Sequence, residues 1–312
     1  MLPVGLVLVA LAGMLWPEPG RVMGRLPTQY VAVSIIFICS GLLLRTDEIR
    51  AALHAWPATA WGTASILFIT PAVGAMIAFR TPLDPTFQLG LALFVCMPTT
   101  LSSGIALTNQ ARGNAALALL LTVTTNLLGV FTIPFVLVAV LGAVGQVELS
   151  ATDLPLKLCL SILLPLAVGR WLRRFLAAHV DAHRPRITML SNLALISIPW
   201  MKFSESSERL ASVALASLAV LIVAGLAIHA VYLVLNYTVT RLAGFDLPTR
   251  KAVVLMTSQK TLPVALTVLA LIPDSALSSE VKGLIAIPCI TSHLGQIFVD
   301  AVIATKWSRV EP

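Results

Sequence analysis

Two stretches decide how this chain folds: Met97-Pro98-Thr99-Thr100-Leu101-Ser102-Ser103-Gly104 in its first half and Thr257-Ser258-Gln259-Lys260-Thr261-Leu262-Pro263 in its second. Each sets a proline inside a dense polar cluster, and each cluster interrupts a long apolar run. Proline lacks a backbone N–H and disrupts the i to i−4 ladder, which frees carbonyls that hydrocarbon cannot satisfy. Such a break is tolerated only against protein or a wet cavity. The structural alternative is a pair of simple proline kinks whose hydroxyls bond back to their own helices. Matched breaks in both halves of a chain are the mark of a transporter binding site, where half-helix ends offer N–H groups to an anion and carbonyls to a cation.

The apolar setting is general. Of the 312 residues, 58% are hydrophobic and 11% charged, and the mean hydropathy is +0.93; soluble domains carry about 25% charged residues. The chain therefore reads as an all-α integral membrane protein. A span needs about 20 apolar residues. Runs bounded by charges, Pro and Gly give ten candidate spans, at 2–16, 28–44, 57–79, 87–110, 114–142, 154–176, 187–203, 211–241, 249–272 and 281–306. Span 1 lacks the basic n-region of a signal peptide, and it is read as a short crossing. Residues 1–142 form one five-helix repeat and 154–306 a second. Because five is odd, the two are inverted relative to each other.

The net charge of +7 would suggest a nucleic-acid partner in a soluble protein, but here the basic residues occupy short loops and act as topology signals. One side collects Arg45, Arg50, Arg112, Arg170, Arg173, Arg174, Arg184, Arg186, Arg241, Arg250, Lys251, Lys306 and Arg309. The other has Arg21, Arg25, Arg80, Lys157, Lys202, Arg209 and Lys282. Both termini are expected on the cytoplasmic side of a bacterial inner membrane, or on the equivalent side of an organellar one. The four cysteines, Cys39, Cys96, Cys159 and Cys289, lie in apolar runs without metal-ligand spacing and read as packing residues. No Gly-rich phosphate loop, HExxH site or GxSxG elbow appears, so no enzyme chemistry and no cofactor is indicated.

The basic residue left outside the loops is Lys260, in the middle of span 9. A lysine there costs at least about 2.5–3.5 kcal/mol, so something must offset it. It neutralises an anionic substrate, pairs with a carboxylate, or stands in for a coupling cation; snorkelling to an interface is the bland alternative. Asp300, well inside span 10, is the leading candidate partner or proton carrier. His293, Gln296 and Asp300 follow i, i+3, i+7 spacing and share a helix face, a pattern that an interhelical hydrogen-bond network explains as well as a function does. Asn126 reads equally as helix glue or ligand, and His229 as a packing histidine. Asn236-Tyr237-Thr238 matches a glycosylation sequon but falls inside a span and is discounted.

On these motifs the chain resembles the bile acid:sodium symporter superfamily, in the divergent branch of plant plastid sodium/metabolite cotransporters and their animal relatives. The resemblance rests on FICSGLLLRTDEIRAAL (37–53), CMPTTLSSGIALTNQARGNAALALLLTVTTNLLGVFTIP (96–134), SQKTLP (258–263) and IPCITSHLGQIFVD (287–300). It implies a panel domain of spans 1, 2, 6 and 7 and a core domain of spans 3–5 and 8–10, with discontinuous spans 4 and 9 crossing in the core. It also implies transport of organic anions with sodium by rocking of the two domains. The family's sodium ligands carry over only in part. A serine-asparagine pair on span 4 corresponds to Ser103-Gly104, so the asparagine is missing. A serine and threonine on span 5 correspond to Ala118 and Thr122. A shared glutamate on span 9 falls near Leu255 or Met256, the glutamine at Gln259 and the next asparagine at Lys260, while a span 3 glutamine is replaced near Ile66. Sodium, if bound, is left with Ser103, Thr122 and Gln259.

The ion and substrate site expected from sequence thus comprises Thr99, Thr100, Ser102, Ser103, Thr122, Asn126, Ser258, Gln259, Lys260, Thr261, His293, Gln296 and Asp300, around breaks at Pro98, Gly104 and Pro263. The expected function is symporter-like secondary transport of a small organic anion or metabolite across a lipid bilayer. Proton-coupled or uncoupled anion transport, and a non-transporting regulator or scaffold of the same fold, are the alternatives. Reporter fusions are expected to place both termini and the Arg170–Arg186 loop on the cytoplasmic side. A periplasmic or lumenal signal from that loop would overturn the ten-span topology.

Overall fold

A computed structural model describes residues 2–43, 56–100, 103–142, 156, 159–211, 213–274 and 276–309. Arg45, Arg50, Ser102 and Lys157, which entered the sequence argument, lie outside the described residues. All regular structure among the described residues is helical. In chain order the helices are α1 (Leu2–Leu15), α2 (Pro17–Arg25), α3 (Thr28–Leu43), α4 (Trp56–Ala78), α5 (Pro85–Val95), α6 (Ser103–Gln110) and α7 (Ala115–Gly142). The second half contributes α8 (Leu164–Ala182), α9 (Arg184–Glu205), α10 (Ser207–Ala211), α11 (Leu215–Leu242), α12 (Leu247–Ser258), α13 (Leu262–Leu271) and α14 (Ser279–Trp307).

Five segments are long and apolar enough to cross a membrane: α4, Ala115–Val140 of α7, α11, α12 with α13, and α14. Helices α2 and α3, bent by 82° at their junction, make a sixth if they are one broken span. Large apolar side chains such as Phe131, Phe135, Phe175, Leu215, Leu242 and Phe298 face outward, as a lipid solvent allows. Helix α2 was not foreseen as a separate element. Pro17 begins it at a position where a missing N–H costs nothing. Arg21 ties it to α9 and α10 through Ser204 O (3.1 Å), Ser207 Oγ (2.9 Å) and Glu208 (3.0 Å).

The helices pack in two groups. In the first, α1, α2 and α3 pack against α9, and α3 runs tightly against α8. A Cβ on Gly41 or Gly169 would collide with the facing backbone, at Leu166 O and Ile38 O respectively, so these two glycines set how closely α3 and α8 approach. In the second group α4, α7, α11 and α14 surround the two interrupted helices, α5 with α6 and α12 with α13. There α12 is buried almost throughout, from Lys251 to Ser258, and so is α13 from Val264 to Leu271. A segment enclosed on all sides by protein is where non-helical backbone can exist at membrane depth.

Candidate functional site

Each interruption starts from the local sequence. Asp246 caps α12 by accepting from Thr249 N (3.3 Å), with Pro248 in the first turn. Asp84 caps α5 through Thr86 N (2.8 Å), with Pro85 at its start. Helix α12 ends at Ser258 because Gln259 is extended (φ −85°, ψ 144°) and Thr261 remains so (φ −91°, ψ 124°). Pro263 then sits in the first turn of α13, where its ring and absent N–H are tolerated. It starts a new helix and does not kink an old one. In the first half α5 ends at Val95, and residues 98–100 are non-helical. Gly104 lies inside α6, not at the break itself, and its N–H donates to Thr100 Oγ1 (2.9 Å). A Cβ there would press on Met256 and Thr100, so the glycine lets α6 approach α12.

The two breaks satisfy one another. Thr261 N donates to Pro98 O (3.0 Å), and Thr99 Oγ1 donates to Met256 O (2.5 Å). Asn126 Nδ2 closes Thr99 O (3.0 Å) from α7. The Gln296 amide serves both sides of the Lys260 peptide, accepting from its N–H (2.9 Å) and donating to its carbonyl (2.5 Å). One side chain thus replaces the partners that a continuous helix would have supplied.

A polar chain runs through the crossing. Gln259 Nε2 donates to Asp300 Oδ2 (2.7 Å), while its Oε1 accepts from Thr100 Oγ1 (2.8 Å) and Ser103 Oγ (3.4 Å). Asp300 Oδ1 lies 2.9 Å from His229 Nε2, and His229 Nδ1 lies 3.1 Å from Ser258 O. A carbonyl only accepts, so Nδ1 carries a proton, and a single further proton lies between Nε2 and Oδ1. Whichever atom holds that proton, the His229–Asp300 pair has no net charge. Asp300 is fully buried and engages Gln259 and His229, not Lys260.

Lys260, 1% exposed, donates from Nζ to Ile66 O (2.8 Å), and its ammonium lies 6.0 Å from the centre of the Tyr232 ring. No carboxylate is within ion-pairing distance of it among the described residues. The snorkelling alternative is excluded by this burial. The accepting carbonyl lies in a π-helical turn, Ser65–Ile69, that interrupts α4; widened turns of this kind release backbone groups and recur at functional sites. Helix α11 braces the turn, with Tyr232 Oη donating to Thr70 O (2.6 Å) and Asn236 Oδ1 accepting from Ser65 Oγ (2.8 Å) and Trp61 Nε1 (3.2 Å). Asn236 is fully buried, which removes it as a glycosylation site. Lys260, His229, Tyr232, Ser258, Ser292 and Gln296 also line a small void of about 10 Å³.

Beside the crossing, a cavity of about 530 Å³ separates the two packing groups. Thr100, Ser103, Thr122, Asn126, Thr261 and His293 line its inner wall, and Ser40 of α3 with Arg184, Thr188, Ser191 and Asn192 of α9 line the outer one. Of the residues expected from sequence, Thr99, Ser258, Gln259, Lys260, Gln296 and Asp300 lie behind this wall, and Ser102 is outside the described residues. Thr122 Oγ1 donates to Ala118 O (2.9 Å) and stands 3.4 Å from Thr100 O. Thr122, Ser103 and Gln259 therefore gather around Thr100. Gln259 Oε1, however, is already occupied by the Thr100 hydroxyl.

Sequence reading missed His229, Tyr232, Asn236 and Arg184. The first three, with Thr240, fall at i, i+3, i+7 and i+11 on α11, and that polar stripe on an apolar helix was the available signal.

Interlocked broken helices beside a largely apolar cavity with polar groups in its walls, in a chain with several membrane-length apolar helices, fit a multi-pass membrane protein of the transporter class. The chain belongs to the SBF-like CPA transporter family, whose model matches residues 1–309. It is 35% identical to the probable sodium/metabolite cotransporter BASS4, chloroplastic, of Oryza sativa subsp. indica, over 99% of this chain and 75% of that protein. The Arabidopsis thaliana protein of the same name is 36% identical over 99% and 72%. Sodium/bile acid cotransporter 7 of Danio rerio is 27% identical over 96% and 91%.

The neutral dyad generates a test. Asp300→Asn keeps an acceptor for Gln259 and a donor for His229, whereas Asp300→Ala strips both of their partner. The alanine variant is expected to lose about 2–4 kcal/mol of unfolding free energy in detergent, and the asparagine variant under about 1 kcal/mol. Equal losses would contradict a net-neutral pair.

Proposed function

We propose that this protein is a symporter-like carrier of a small organic anion or metabolite, working by rocking of a panel (α1, α2, α3, α8, α9) against a core (α4 to α7 and α11 to α14). In this reading each half of the chain supplies five spans of an inverted repeat. The observation that carries it is the cavity between the two groups, with the mutually hydrogen-bonded breaks in its wall. Relatives named as sodium/metabolite and sodium/bile acid cotransporters support the class of cargo.

Lys260 takes the part that a coupling cation plays elsewhere in the family. Its ammonium rests on Ile66 O, near the place of the missing span 3 glutamine. With the His229–Asp300 pair neutral, Lys260 is the uncompensated charge of the crossing among the described residues. Two unit charges 5 Å apart repel by about 3 kcal/mol at an effective dielectric of 20. A sodium ion beside Lys260 is disfavoured on that scale.

Anion uptake into proteoliposomes is therefore expected to persist when sodium is replaced by potassium or choline. Lys260→Ala is expected to abolish uptake or to make it sodium-responsive, and Lys260→Arg to be poorly tolerated because a planar fork does not replace a compact ammonium. A strict, saturable sodium requirement in the unmutated protein would overturn this role for Lys260.

A further inference from the structure

We propose that Arg184 is the anion anchor of the cavity, and that it restricts the cargo to monoanions bearing their charge at one end of an uncharged, partly apolar body. The proposal rests on the transport reading above and adds to it the residue that holds the charge. Among the described residues lining the cavity, Arg184 is the one Arg, Lys, Asp or Glu; the remainder are Ser, Thr, Asn, His293 and apolar residues. It stands at the first position of α9. From there Thr188, Ser191, Asn192 and Leu195 continue along one helical face at i+4, i+7, i+8 and i+11 and line the same cavity. A ligand held at Arg184 would extend along this face toward Asn126 and His293.

The guanidinium is placed to change partners. Asp181 accepts from Arg173 Nη2 with both carboxylate oxygens, at 3.0 and 3.1 Å, and Arg173 is itself buried and fixed by Leu42 O (2.6 Å). Arg184 Nη1 reaches the same carboxylate at a longer 3.3 Å. Asp181 is thus shared between the two arginines, with its closer, two-oxygen contact to the buried Arg173. Arg184 remains 39% exposed along its side chain, so its planar fork can meet a cargo carboxylate without stranding Asp181. A second negative charge on the cargo, deeper in the cavity, would meet neutral groups and lose its hydration without an ionic partner.

The test uses the full chain in lipid nanodiscs with three matched probes: hippurate (one carboxylate), its neutral primary amide, and 4-carboxyhippurate (two carboxylates). Hippurate is expected to bind saturably, and the other two at least about tenfold more weakly. Arg184→Gln should reduce hippurate binding about tenfold, to the level of the amide, and Arg184→Lys should restore part of it. Unchanged hippurate binding by Arg184→Gln, equal binding of the three probes, or no saturable binding of hippurate would each overturn the proposal. Hippurate uptake into proteoliposomes by both the unmutated protein and Arg184→Gln, at equal rates, would remove the anchor while leaving the transport reading intact. Failure of every organic anion to be taken up would remove the transport reading itself.

Discussion

Hydrocarbon offers no partner to a backbone N–H or C=O, and the architecture of this protein follows from that constraint. Two helices are interrupted inside apolar, protein-enclosed surroundings, which leaves peptide groups that must be satisfied from within. They are satisfied reciprocally, Thr261 to Pro98 and Thr99 to Met256, and from the flanks by Gln296 and Asn126. Each of these contacts joins residues far apart in sequence. The crossing is therefore a product of the surrounding helices as much as of its own prolines, and α11, α7 and α14 are the elements that hold it.

The same constraint explains the chemistry of the crossing. Charges buried there must be matched or supplied with dipoles. Asp300 and His229 match each other, and Gln259 connects that pair to Thr100 and Ser103 at the cavity wall. Lys260 takes the second course, using a carbonyl released by the π-helical turn in α4 and the face of Tyr232. Arg184 stands at one end of the cavity, and Lys260 lies behind its wall.

Much of this was legible in the sequence, and the limits have physical reasons. The breaks announce themselves because proline and clustered hydroxyls are costly in an apolar run, and the i, i+3, i+7 spacing of His293, Gln296 and Asp300 placed them on one buried face. Their partners were not legible. Asp300 reads as a match for Lys260 when only charges are compared, yet geometry gives it to His229, 71 positions away. Helix α11 looks like an ordinary lipid-facing span because its polar stripe is diluted by apolar residues all round. The π-helical turn has no marker in Ser65–Ile69, since it depends on bracing by Tyr232 and Asn236. Arg184 was counted as a topology signal because its proximity to a cavity depends on how α9 packs against the core.

Lys260 is proposed to occupy, as a tethered charge, the role of a coupling ion. A direct measurement is the thermal unfolding midpoint of the purified protein in detergent, titrated with sodium chloride against potassium chloride and choline chloride at equal ionic strength. A ligand that binds only the folded state raises this midpoint, its stabilisation growing with free ligand concentration L as RT ln(1 + L/Kd). No sodium-specific rise is expected for the unmutated protein; a concentration-dependent, sodium-specific rise in it would contradict this role for Lys260.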